Sequence, residues 1–104
     1  MSGPTLDIGR PVVEEMVRLA ALEVPGILRV GRGGAAVAAW FAGPPVKVRV
    51  RDGKVDVRLW VIARPAVALQ PLARQVSGAV GAAVERLLGL QLGSLTVVID
   101  GVGG

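Results

Sequence analysis

Residues 46–61 read Val-Lys-Val-Arg-Val-Arg-Asp-Gly-Lys-Val-Asp-Val-Arg-Leu-Trp-Val. Two runs of apolar–polar alternation flank a single Asp-Gly. Alternation with period two is the mark of a strand with one buried face. Asp52-Gly53 is the dipeptide that suits a two-residue type I′ turn, whose central residues both need positive φ. The register follows from the turn. Val50 faces Val55, Val48 faces Val57 and Val46 faces Leu59. These six side chains share one face, and a slip of one residue would turn all of them into water. The other face carries Lys47, Arg49, Arg51, Lys54, Asp56, Arg58 and Trp60. A hairpin of this kind needs an apolar cover for its valine face.

Two segments supply that cover. Pro11 suits the first turn of a helix, where a missing N–H costs nothing. Val13, Val17, Ala20, Ala21 and Val24 follow at helical spacing. Glu14 and Glu15 are expected in the first turn, complementing the helix dipole. Pro25-Gly26 ends the helix. A second helix is expected from Pro71 to Leu88, with Leu69, Leu72, Val76, Val80, Ala83, Val84 and Leu87 on one stripe and Gly89 after its end. Thr5–Ile8 and Ile27–Val30 read as short strands. Leu92–Asp100 reads as a longer one, with Leu95, Val97 and Ile99 on one face. The order is β-α-β-β-β-α-β. Helices with a single apolar stripe must lie on a sheet. The fold class is therefore α+β, a two-layer sandwich with a mostly antiparallel sheet and both helices on one face. The 104 residues make one domain, with residues 101–104 a flexible tail.

The side-chain inventory restricts the chemistry. The chain has no Cys, His, Tyr or Asn. Zinc sites built on Cys or His are excluded, as are Ser-His and Cys-His catalysis. No catalytic residue, cofactor or metal ligand is assigned, and the chain reads as a non-enzyme. Gly31-Arg-Gly-Gly34 is followed by no Gly-Lys-Ser/Thr, so it is not a phosphate-cradling loop. No secretory signal opens the sequence, and no apolar run reaches the length of a membrane span. A cytoplasmic location is expected.

The order of these elements resembles a known family. A helix ending in Glu23-Val-Pro-Gly-Ile27 is followed by a Gly-rich segment and the hairpin. A long helix, Gly89-Leu90 and a last strand with Leu95-Thr-Val-Val-Ile99 complete the pattern. This is similar to the alkaline shock protein family, or envelope stress response family, of Gram-positive and related bacteria, over roughly residues 6–100. The Glu-Val-Pro-Gly-Ile element is the most specific part. The resemblance implies a small cytoplasmic non-enzyme of the cell-envelope stress response. It implies a peripheral position at the inner face of the membrane, through a protein partner such as an integral-membrane anchor.

Charge suggests where a partner would bind. Between residues 46 and 64 lie six basic and two acidic residues, and elsewhere the signs cancel, so the net charge of +4 belongs to the hairpin region. Its cross-strand pairs set Arg49 opposite Asp56 but Lys47 opposite Arg58. Like charges face to face are unfavourable. An acidic protein partner or an anionic lipid surface would relieve them. Trp40, Phe41 and Trp60 are all the aromatics present. With Lys47, Arg49 and Arg58 they form the candidate partner surface. An exposed Trp60 predicts that Trp60→Ala weakens binding and leaves the melting temperature nearly unchanged. The alternative is a nucleic-acid-binding regulator that tracks phosphates on the same basic face. Only Trp60 is available there for base stacking, which makes nucleic acid the weaker reading. On the long helix, Ser77, Gly78, Gly81 and Ala82 lie away from the leucine stripe. They are the candidate self-association surface of a homo-oligomer.

Overall fold

The computed structural model describes residues 9–33 and 43–103. The strand expected at Thr5–Ile8 and the aromatics Trp40 and Phe41 lie outside the described residues. The elements are α1 (Arg10–Leu22), β1 (Ile27–Val30), β2 (Val46–Arg51), β3 (Lys54–Ala63), α2 (Leu69–Ala82) and β4 (Gln91–Val102). A π-helical turn, Ala83–Leu87, extends α2. This is an α+β fold with a four-stranded sheet.

The hairpin has the register its turn demands. Val50 pairs with Val55, Val48 with Val57, Val46 with Leu59, and Lys47 with Arg58. Asp52 and Gly53 have φ of 50° and 74°, the two positive values of a type I′ turn. β3 is the central strand. Its Trp60 N–H donates to the Pro45 carbonyl at 2.8 Å, and its Trp60 carbonyl accepts from the Gly31 N–H at 2.9 Å. Both groups of one residue point to the same edge, so β2 and β1 run end to end along it, each antiparallel to β3. β4 takes the opposite edge and runs parallel to β3, as the helical crossover through α2 requires.

Both helices lie on the valine face. Val13 and Val17 of α1 and Leu72, Val76 and Val80 of α2 join Val55, Val57, Leu59 and Val61 in one buried core. Proline at the start of α1 and a backbone turn after Leu22 bound that helix. α1 starts one residue earlier than Pro11. Glu14 and Glu15 therefore leave the first turn and act through ion pairs instead, Glu14 with Arg10 at 3.5 Å and Glu15 with Arg18.

Three expectations about burial and order are corrected. Val50 is 37% exposed, because the hairpin tip projects beyond the helices that cover Val48 and Val57. Leu87 is 67% exposed. The wider π turn lags behind the 3.6-residue rotation of α2 and swings Leu87 off the stripe. The expected tail is strand through Val102, and the Gly103 N–H donates to the Ala63 carbonyl at 2.9 Å.

Candidate functional site

The sheet face turned away from the helices is built from alternate residues of three strands. β2 contributes Lys47 and Arg49, β3 contributes Asp56 and Arg58, and β4 contributes Ser94 and Thr96. Ser94 sits beside Asp56, and Thr96 beside Arg58. Together they line a shallow depression of about 460 Å³. Val48 and Val57, both buried, complete its lining.

The single carboxylate in the depression is already engaged. Asp56 accepts a hydrogen bond from the Ser94 hydroxyl at 3.0 Å. It also meets the Arg51 guanidinium at 3.3 Å, diagonally across the hairpin. The Ser94 hydrogen bond, aided by the nearby Arg51 charge, holds the Asp56 carboxyl below its ordinary range. Arg49, directly opposite Asp56, has no ion pair with it. Among the described residues, Lys47, Arg49 and Arg58 have no carboxylate within 4.0 Å. Three cations and the Thr96 hydroxyl thus face solvent around one neutralised acid.

Trp60 is not part of an exposed patch. It is only 8% accessible. Residues 31–33 leave β1 and cross the open face above it. The Arg32 guanidinium lies 3.5 Å from the centre of the Trp60 ring, and the Lys47 ammonium lies 5.4 Å away. Both are within cation–π range. This segment reaches β4 at Gly33, whose N–H donates to the Asp100 carboxylate at 2.7 Å. A side chain at Gly33 would overlap the Asp100 backbone carbonyl, so the crossing depends on that glycine. Trp60 is a packed anchor at one end of the basic depression, and the expectation of an exposed aromatic there is corrected.

The four residues expected on the self-association surface, Ser77, Gly78, Gly81 and Ala82, are neighbours at i, i+3 and i+4 spacing on α2, and their surroundings differ. The Ser77 hydroxyl donates to the Ala73 carbonyl of its own helix at 2.9 Å. Gly81 faces Leu92 of β4, and Gly78 faces open space. Ala82 lines a groove between α1 and α2.

Sequence reading missed Ser94, Thr96 and Arg32. The two hydroxyls alternate with Leu95 and Val97, which already placed them opposite the core face. Parallel pairing of β4 beside β3 was the further step needed to bring them next to Arg58. Arg32 gave no signal, because its segment has no periodicity.

The sequence profile of the alkaline shock protein 23 family, described by a cell envelope-related function, matches residues 3–103. The chain belongs to this family. Membership ties it to the stress response and the cell envelope. No curated protein matches it. Solved structures similar to it include MamM CTD proteins. A copper form has a TM-score of 0.58 at 20% identity, covering 88% of this chain and 85% of that one. A variant without a stated metal has 0.56 at 21%, covering 88% and 94%. A nickel form of another variant has 0.56 at 20%, covering 88% and 96%. At these identities the likeness shows a shared fold. Among the described residues no three metal-ligating side chains cluster. No described helix is long and apolar enough to cross a membrane.

Proposed function

We propose that this alkaline shock family member is a non-catalytic interaction module of the cell-envelope stress response. It works at the cytoplasmic side of the membrane by docking an acidic segment of a protein partner on the open sheet face. The observation that carries this reading is the state of the charges in the depression. Its one carboxylate is occupied by Arg51 and Ser94, while Lys47, Arg49 and Arg58 point outward with no acidic neighbour among the described residues. Lys47 sits opposite Arg58 in the ladder, so the face has a standing repulsion that an acidic ligand relieves. Surface cations of this kind set association rate and partner choice more than raw affinity.

The basic face also admits nucleic acid or anionic lipid as ligands. Sheet-based single-strand binders stack bases on exposed aromatics. Trp60 lies beneath Arg32, which favours a protein ligand over nucleic acid.

A chain reversed at Lys47, Arg49 and Arg58 to Glu tests the reading. It is expected to remain folded and to lose recovery of a membrane-embedded partner from cell extracts. Wild-type recovery is expected to fall as salt rises. Undiminished recovery by the reversed chain refutes the proposal. Preferential binding of wild type to RNA or to anionic vesicles would assign the face to those ligands instead.

A further inference from the structure

We propose that a second copy of this chain docks on the groove between α1 and α2, making a two-fold dimer through the helix layer. The groove holds about 400 Å³. Ala20 and Ala83, both buried, form its floor, and Met16, Leu19, Ala82 and Leu87 line it higher up. Leu19 is 44% exposed and Leu87 67% exposed. Leucines this exposed are ordinary when scattered, but here they border one concave apolar surface.

The π turn sharpens the point. A regular helix would carry Leu87 onto the core stripe of Leu72, Val76 and Val80. The turn at Ala83–Leu87 instead sets it at the groove margin. Turns of this type are rare, interrupt the regular helical hydrogen bonding, and occur frequently at functional sites.

The occupant is identified by complementarity. An isologous contact uses the same patch on both copies, so the patch must carry both a projection and a recess. This one does: projecting leucines stand beside an alanine-floored hollow. It must also carry matching charge. Glu23 and Arg86 both line the groove, and neither has an ion pair among the described residues. Across a two-fold axis, Glu23 of each copy can meet Arg86 of the other. A patch lined by one acid and one base has no net charge to repel its own copy. The strongly basic sheet face lies on the other layer, away from the contact. A stable pair needs about 800 Å² from each partner, about an eighth of the 6593 Å² accessible surface.

The test is sedimentation equilibrium on the whole chain. Wild type is expected to be dimeric, and Leu87→Glu to weaken the dimer about tenfold or more. Because Leu87 is exposed, that variant should keep the wild-type circular dichroism, and the wild-type melting temperature when both are diluted to monomers. A second pair guards against indirect effects. Glu23→Arg and Arg86→Glu chains are each expected to be monomeric alone and to form a mixed dimer when combined, since opposite charges then meet across the interface. A wild type that stays monomeric at about 1 mM overturns the proposal, even if it captures an amphipathic helix from another protein. So does a Leu87→Glu chain that dimerises as well as wild type, or mixing that produces no mixed dimer.

Discussion

Trp60 and Arg32 define how one residue can belong to a polar face and still be buried. The ring lies flat beneath the guanidinium at 3.5 Å, and the Lys47 ammonium approaches from β2. Removing a buried aromatic costs about 3–5 kcal/mol, and Trp60→Ala is expected to lower stability by that order in urea denaturation. Little change would mean that the crossing segment does not depend on the ring. Asp56 gives a second prediction at this scale. Its folded carboxyl is depressed, mainly by the Ser94 hydroxyl. Such a group adds stability above its ordinary value, and that contribution is lost as pH falls through the depressed one. Ser94→Ala should raise the Asp56 carboxyl toward its ordinary range in an NMR titration, and the part of the acid-induced loss of stability that comes from this group should shrink, because the folded and unfolded carboxyls then titrate closer together. An unmoved titration would assign the depression to Arg51. The alternation around Leu59 and Val61 made the core face legible. The cover of Trp60 was not, because it comes from residues 31–33, whose contacts are made at long range in sequence.

At the scale of elements, the hairpin was fully legible because turn and alternation specify the same register. Every pair in its ladder follows from Asp52-Gly53. A β-carbon at Gly53, with φ of 74°, is unfavourable. Gly53→Ala is expected to cost about 1 kcal/mol, seen as a fall in melting temperature of about 4–8 °C for a domain of this size. Ala66 gives the opposite case. It follows Pro65 at φ 62°, a left-handed position held by a residue with a side chain. Ala66→Gly removes that steric cost against a smaller entropic one, so a gain of about 0.5 kcal/mol is expected in denaturant titration. A loss would show that unfolded-chain entropy dominates there. The end of α2 was misread for a different reason. A hydrophobic stripe reports a preference for period 3.6, and nothing in Ala83–Leu87 announces a five-residue turn. The stripe correctly supplied Leu72, Val76 and Val80 and then carried Leu87 into the core, where the structure does not put it.

Across the whole molecule, the two layers have opposite characters. The sheet layer presents Lys47, Arg49 and Arg58 outward, and the helix layer presents Leu19, Leu87 and the alanine-floored groove. If copies meet through their helices, the layers stack as sheet, helices, helices, sheet. The two basic faces then point in opposite directions. A dimer of this shape cannot lay both faces on one flat surface, but it can join two acidic partners on opposite sides. That is the geometry of a cross-linking scaffold, and it separates the two surfaces experimentally. Beads coated with an acidic peptide should be drawn together by wild type, giving turbidity that falls with salt. Leu87→Glu should bind single beads with the same affinity, because the sheet face is untouched, yet fail to join them. The chain reversed at Lys47, Arg49 and Arg58 should do neither while remaining dimeric. Equal turbidity from wild type and Leu87→Glu would mean that one copy holds two acidic ligands by itself, and the stacked arrangement would be wrong.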